Sequence, residues 1–507
     1  MTRMQVAIVG AGFAGLGMAI ALRRAGREDF LILERAASVG GTWRDNTYPG
    51  VACDVPSHLY GFATHPNPDW SGVFARGDEI RRYLEGVADR ERLGDRLRLR
   101  TPVLSAEWDA AASVWRIETG GDAPGAIEAD ALVLACGRLT EPAIPDIEGL
   151  ETFPGPLFHS SRWDHDAGLA GARVALVGTG ASAVQLLPEL ARVAEHVTLF
   201  QRTPAWIVPR GGAAYDDADR RRFAAYPGEL ARLRGELYLE GEARFASRSG
   251  DADAAATARG IALEHLYAQI ADPALRTALT PDYAFGCKRV LLSDEFYPAV
   301  AGRRVTLEPS ALATVEGSTL TSADGSVFDA DVLVLATGFA STQQPYADLV
   351  RGEAGITLAE HWSEGMTSFG STVVGGFPNM FVLNGPNASL GHNSSVLMIE
   401  EQAAYAVRAL GHGDAAGTVL RVDPVAEQRY TDEIATASAS TPWIAGGCRN
   451  WYVDERSGRL TLLWPGTVDA FRARLAAADG SEFESLAEPR SAPTKGASTD
   501  GVPRGAS

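Results

Sequence analysis

The chain has 507 residues, 46% hydrophobic and 22% charged, the balance of an ordinary globular protein. That length is too great for one core, so two or three domains are expected. A net charge of −18 excludes a nucleic-acid surface and anchoring to acidic lipid. Four scattered cysteines, Cys53, Cys136, Cys287 and Cys448, contain no CxxC pair. The expectation is no disulfide framework, no metal site and a reducing cytoplasm.

Residues 5–9 are a short apolar run, followed directly by Gly10-Ala-Gly12-Phe13-Ala-Gly15. Residues 6–22 carry no charge and could pass for the apolar part of a signal peptide. The glycine spacing instead predicts strand, turn and helix. No other stretch approaches the length needed to span a bilayer. Residues 18–24 read as helix ended by Gly26, and residues 30–33 as a second strand closed by Glu34 and Arg35. Such a unit wraps a dinucleotide: the glycines let the backbone turn and approach a pyrophosphate at a helix N-terminus, and the acid takes ribose hydroxyls. Gly40-Gly41-Thr42-Trp43, then Tyr48-Pro-Gly50, then Asp54 form a second cluster. Residues 130–137, a buried parallel strand and glycine turn, recur as residues 331–338. The chain therefore holds a diverged internal repeat and calls for two dinucleotides.

Between the repeats lie residues 153–164, where Pro154, Gly155 and Pro156 forbid a helix and predict a connector. Residues 173–177 read as strand, and Gly178-Thr179-Gly180-Ala-Ser182-Ala183 opens a helix that carries Gln185. The next strand, residues 197–200, ends in Gln201-Arg202-Thr203 where the first repeat ended in Glu34-Arg35. A glutamate repels a 2′-phosphate, whereas glutamine beside arginine accommodates one. The first site is thus expected to hold FAD and the second NADPH. Residues 213–284 break the alternation, with helical composition over 217–234 and 254–270. They predict two to four inserted helices forming a lid or wall over the substrate space. A dibasic pair, Lys288-Arg289, precedes an apolar run. Residues 377–386 form a strand entering a turn at Asn384, which can bond a ring edge or only close an Asx turn. Residues 400–410 continue as helix, and the chain from residue 488 has the composition of a disordered tail.

The fold class expected is α/β, with two dinucleotide-binding (Rossmann-like) domains and a helical insertion in the second. The boundaries are 1–148 and 375–487 for the FAD-binding domain, 149–212 and 285–374 for the NADP-binding domain, 213–284 for the insertion and 488–507 for the tail.

Two patterns carry a family resemblance. Phe153, Gly155, His159, Trp163 and Asp164 are spaced as FxGxxxHxxxW[PD], and residues 40–54 fill every fixed position of [AG]GxWxxxx[FY]P[GM]xxxD. The chain resembles the type I Baeyer–Villiger monooxygenases, flavoenzymes that insert one oxygen of dioxygen beside a ketone. The resemblance covers most of residues 1–470. It implies FAD contacts from Gly10, Gly12, Phe13, Gly15, Glu34, Arg35, Gly41, Thr42, Trp43, Asp54, Tyr60, Val103 and Asn384. NADP would be met by Gly178, Thr179, Gly180, Ser182, Ala183, Gln185, Arg202, Thr203, Lys288, Arg289 and Trp451. Trp451 would lie on a mobile loop, with Trp443 and Trp464 as other candidates for its part.

By the same resemblance Arg289 is the catalytic arginine, Asp54 orients it beside the flavin's reacting face, and His159 is a hinge residue rather than an acid or base. The implied cycle passes hydride from NADPH to FAD and forms a flavin 4a-peroxide, which attacks a ketone to give an ester or lactone. The partners expected are a small ketone and dioxygen, with no nucleic acid, no membrane and a monomeric chain. Three rivals stand beside this reading. A nitrogen- or sulfur-oxygenating flavoenzyme usually lacks the tryptophan of the first pattern, a disulfide reductase needs a CxxxxC pair near the first helix, and a non-catalytic flavin binder would show no NADPH turnover. The sequence does not name the ketone.

Overall fold

The computed structural model describes residues 2–484, so the tail expected from residue 488 lies outside the described residues. Two large sheets organise the chain, the first mixed and the second parallel. In the first, Thr2–Val9 is flanked by Phe30–Leu33, with Val6 opposite Phe30, and by Gly125–Leu134, with Val6 opposite Ala131. Phe30–Leu33 is buried along its whole length, as an apolar strand covered on both faces must be. Gly125–Leu134 serves two partners on its far edge. Its first half pairs antiparallel with Val114–Thr119, and its second half pairs parallel with Met380–Val382. Residues from late in the chain thereby complete the first sheet.

The second sheet runs Val305–Glu308, His196–Phe200, Arg173–Val177, Val332–Leu335 and Leu157–His159, all parallel. The internal repeat is visible in the pairing. Each glycine-loop strand lies beside the strand of the recurring motif, Val6 against Ala131 and Val174 against Val332. Gly10 and Gly178 both have positive φ, +105° and +114°, and a Cβ on either would sit 2.5 Å from a carbonyl oxygen, that of Ala135 or Ala336. Only glycine fits those two turns.

One expectation is corrected here. Residues 153–164 read as a connector, yet Leu157–His159 pairs with Leu333–Leu335 as the outer strand of the second sheet. Pro154 and Pro156 lie just before this strand, where no ladder N–H is required of them. The Pro156 carbonyl accepts from Leu333 N at 3.0 Å, and a Cβ on Gly155 would lie 2.1 Å from the Asp331 oxygen.

The insertion is four helices, Asp217–Ala225, Pro227–Ala243, Ala252–Gln269 and Pro273–Leu279. Asp216, Asp251 and Asp272 cap three of them through their carboxylates. The insertion docks on the first domain through His58, whose ring meets Phe223 at 4.7 Å and Tyr215 at 5.3 Å. It also reaches the C-terminal segment, where Tyr238 donates to Asp469 at 2.6 Å and Glu242 accepts from Val468 N at 2.9 Å.

A second correction concerns the cysteines. Cys287 and Cys448 form a disulfide across 161 residues, while Cys53 and Cys136 are free. So long a separation leaves no spacing pattern to read. No helix among the described residues is long and apolar enough to cross a membrane.

Two expected outcomes follow from this packing. Both His58 ring nitrogens are buried without a partner, and burial, reinforced by the Arg234 charge, pushes the ring down to about 4. The unfolded chain binds that proton below about pH 6.5 and the folded chain does not. His58 therefore adds its full stability above pH 6.5 and loses it as the pH falls towards 4. Urea midpoints measured between pH 7 and 4.5 should decline, and His58→Phe should flatten the decline by roughly 2 kcal/mol. Reducing the Cys287–Cys448 bridge releases a long loop and should lower unfolding stability by about 3–5 kcal/mol. Cys448→Ser without reductant should unfold at the midpoint of the reduced wild type.

Candidate functional site

A cavity of about 350 Å³ opens above the first glycine loop. Gly10, Gly12, Phe13, Glu34, Arg35, Gly41, Thr42, Trp43, Tyr60, Val103 and Asn384 all line it. Gly15 does not. A Cβ there would lie 1.9 Å from the Gly10 oxygen, so this glycine packs helix on strand. Glu34 closes one end of the cavity, 4% exposed, accepting from Ala11 N at 2.8 Å and Ala36 N at 2.9 Å and facing Arg44 at 3.1 Å. A fixed carboxylate at a strand end beside a glycine turn is the acceptor that ribose hydroxyls require. At the other end stand Asn384, in the left-handed region at φ +55°, and the start of the Ser395–Ala416 helix. Trp43 donates to the Tyr60 hydroxyl at 3.3 Å, and Phe13 meets the Tyr60 ring edge-on at 5.0 Å. The length, turn and carboxylate of this cavity fit an extended dinucleotide.

Asp54 and Arg289 stand 235 residues apart in sequence and face each other beside the cavity. Arg289 donates Nε to Asp54 Oδ2 at 2.8 Å and Nη2 to Oδ1 at 2.7 Å. The Asp54 charge holds the guanidinium well above its ordinary range, outweighing burial. Around the pair, Cys53 is buried and its thiol is pushed up by desolvation. The buried Tyr452 hydroxyl is raised for the same reason. A further guanidinium, Arg138, is 8% exposed and donates Nη1 to Asn384 Oδ1 at 3.0 Å and Nη2 to Ser389 Oγ. Burial, and then the like charge of Arg289, push it down to about 10.

Near the second glycine loop two cations gather, Arg202 and Lys288. Thr179 Oγ1 donates to the Thr203 carbonyl at 2.7 Å, closing the turn between the two strands. Arg202 is exposed and close enough to Lys288 to lower it, after burial, while Lys288 Nζ lies over the Tyr283 ring at 5.2 Å. Neither cation forms an ion pair among the described residues. Two free cations beside a glycine turn fit a phosphate on the ribose. Gln201 does not share that task, because it is buried and donates to the Ala278 carbonyl. Ala183 is likewise buried within the core. Gln185 spends its amide on the first domain, donating to Ala52 O at 2.9 Å and accepting from Tyr48 at 2.9 Å. Ser182 sits against the same Tyr48 hydroxyl.

Of the three C-terminal tryptophans, Trp443 is buried, Trp464 packs on Phe471, and Trp451 is exposed on its loop. The Cys287–Cys448 bridge ties this loop to the residue just before Lys288 and Arg289. In the 153–164 stretch, Phe153 is buried in the core, Trp163 meets Phe158 edge-on at 5.0 Å, and Asp164 accepts from Asp166 N at 2.9 Å on the surface. His159 is buried, bonded through Nδ1 to Ser161, and pushed down to about 4 by burial. Sequence reasoning missed Arg138, Tyr452 and the bridge. Arg138 directly follows the Gly137 turn, which was the one available signal.

Comparisons agree with this geometry. Residues 7–211 match the family model for pyridine nucleotide-disulphide oxidoreductases. A redox pair near the first helix is missing, since Cys53 is a free, buried thiol. A Baeyer–Villiger monooxygenase of Streptomyces coelicolor is 46% identical over 95% of this chain and 93% of that protein. The chain belongs to the Baeyer–Villiger monooxygenase family. Another Baeyer–Villiger monooxygenase, from Pseudomonas aeruginosa, is 41% identical over 98% of this chain and 95% of its own. Among solved structures, that of OTEMO in complex with FAD and NADP superposes with a TM-score of 0.83 at 25% identity, covering 95% of this chain and 99% of that one.

If Arg202 and Lys288 share a phosphate in this monooxygenase, Arg202→Ala should raise the KM for NADPH about 10- to 100-fold, the worth of one charge-assisted contact. The KM for NADH should stay nearly unchanged. Steady-state kinetics with both coenzymes check this.

Proposed function

We propose that this chain is an NADPH- and dioxygen-dependent Baeyer–Villiger monooxygenase that inserts one oxygen beside a ketone carbonyl to give an ester or lactone. The bidentate Arg289–Asp54 pair beside the first-loop cavity carries this reading. FAD in that cavity would supply two-electron transfer and dioxygen activation, and NADPH on the second loop the hydride. Residues 1–148 and 375–487 form the FAD unit in this reading, and 149–212 and 285–374 the NADP unit. The return of Met380–Val382 to the first sheet supports the late FAD-unit segment, but Val350–Arg351 already pairs with Ala106 and Glu107 there, so the boundary expected at 374 moves back to before residue 350.

The chain's own residues then have distinct tasks. The Gly10 turn admits the pyrophosphate to the start of the Phe13–Arg24 helix, and Glu34 takes the ribose. Arg202 and Lys288 select the phosphorylated coenzyme. Arg289 is the fixed positive charge beside the oxyanion that develops on the ketone. A guanidinium stays charged at any working pH, and one held in advance needs no reorganisation during the step. Asp54 provides that restraint by engaging Nε and Nη2, which leaves Nη1 without a protein partner among the described residues. The exposed Trp451 would close over the coenzyme and exclude water. His159, neutral and bonded to Ser161, works as a packing residue at the outer strand.

The ketone is a small molecule bounded by the inserted helices. The enzyme acts as a single chain in the cytoplasm, where NADPH is regenerated.

Arg289→Ala should lower ketone oxygenation by about 10²–10³ while NADPH oxidation persists and appears as hydrogen peroxide. Product masses and peroxide are read together on FAD-loaded protein with a panel of cyclic, linear and aryl ketones. Undiminished ester formation in a variant that still loads FAD would refute the role of Arg289.

A further inference from the structure

Two guanidiniums near the cavity, Arg289 and Arg138, differ in their partners. Arg289 takes both oxygens of Asp54. Arg138 has only neutral partners, Asn384 and Ser389, and its Nε is buried with none at all. A buried charge without a counter-ion is costly, so an anion placed at Arg138 would be favoured.

The geometry limits where that anion sits. Asn384 lines the cavity at the end away from Glu34, and so does Ser395 at the N-terminus of a 22-residue helix. Ser389, the other partner of Arg138, contacts Ser395 at 3.2 Å. The guanidinium and the positive end of the helix therefore converge on one end of the cavity. Glu34 assigns the opposite end to the ribose of the adenosine half. The end near Arg138 is left for the flavin ring, whose pyrimidine edge becomes negatively charged on two-electron reduction.

We propose that Arg138 is the counter-charge of the anionic reduced flavin, a positioning residue that stabilises the reduced state and keeps its ring deprotonated. This rests on the FAD reading above. Charge near the ring nitrogens is one of the protein's levers on flavin electronics, and here it would come from a residue outside the Arg289–Asp54 pair.

The test uses FAD-loaded full-length protein. Wild type, Arg138→Gln and Arg138→Lys are compared by dye-equilibration potentiometry and by titration with sulfite, which adds to oxidised flavin more tightly when positive charge lies at the pyrimidine edge. Arg138→Gln keeps the bonds to Asn384 and Ser389 within reach but removes the charge. It should weaken both reduction and sulfite binding at least tenfold, equal to about 30 mV for a two-electron couple, and Arg138→Lys should restore most of each. If Arg138→Gln fails to load FAD, wild type alone decides. Its photoreduced spectrum should remain that of the anionic form at pH 6, and a neutral reduced flavin there would overturn the proposal. So would an unchanged potential in the loaded variant, including the case where only the KM for carboxylate-bearing ketones rises. Failure of wild type to bind FAD would instead remove the flavin reading itself.

Discussion

The ion pair between Arg289 and Asp54 is the constraint on which the site depends. It joins the end of the helical insertion to a loop of the first domain, 235 residues away. Two parallel hydrogen bonds fix the guanidinium plane as well as its position. Losing either member would leave a half-buried charge uncompensated, a heavy cost relative to a domain's net stability. The same pair sets the relation between two nucleotide loops that share no sheet. Tyr48 and Ala52 of the first domain reach Gln185 of the second, so the loop carrying Asp54 is pinned at both ends.

The repeat explains why such a junction exists. Each glycine turn must pass within contact of a carbonyl from the neighbouring strand, Ala135 in one copy and Ala336 in the other. Each turn also points the N-terminus of a helix outward above its sheet. Two such units in one chain provide two dinucleotide sites. The bridge between Cys287 and Cys448 ties the Trp451 loop to the segment that carries Arg289.

What was legible in the chain is what local backbone chemistry demands. Gly10, Gly178 and Glu34 are identified by conformations and positions defined within a few residues, and the strands at residues 30–33 and 173–177 matched to the residue. The Lys288-Arg289 pair was legible only through the resemblance, because nothing near it in sequence indicates Asp54. What was not legible is long-range pairing. The Leu157–His159 strand looked like a connector because Pro154, Gly155 and Pro156 directly before it forbid a helix, and its three residues take their place only by pairing with a strand far along the chain. Cys287 and Cys448 meet across 161 residues. Gln201 was read as a phosphate partner from its place at a strand end, but the insertion packs over it and takes its amide.

Charge balance links these observations to mechanism. The protein as a whole is strongly acidic at −18, yet Arg138, Arg202 and Lys288 form no ion pair among the described residues, and Arg289 pairs with Asp54. A fold that needed only stability would neutralise such unpaired charges, since buried ones oppose folding. Arg289 and Arg138 differ in their restraint. Arg289 is locked by a carboxylate, which fixes its direction and lowers its net field. Arg138 is held by neutral groups, Asn384 and Ser389, and keeps its whole charge. A locked charge suits an oxyanion that must be met at one position. An uncompensated charge suits a cofactor whose own charge changes during turnover, because its field is then answered only in the reduced state.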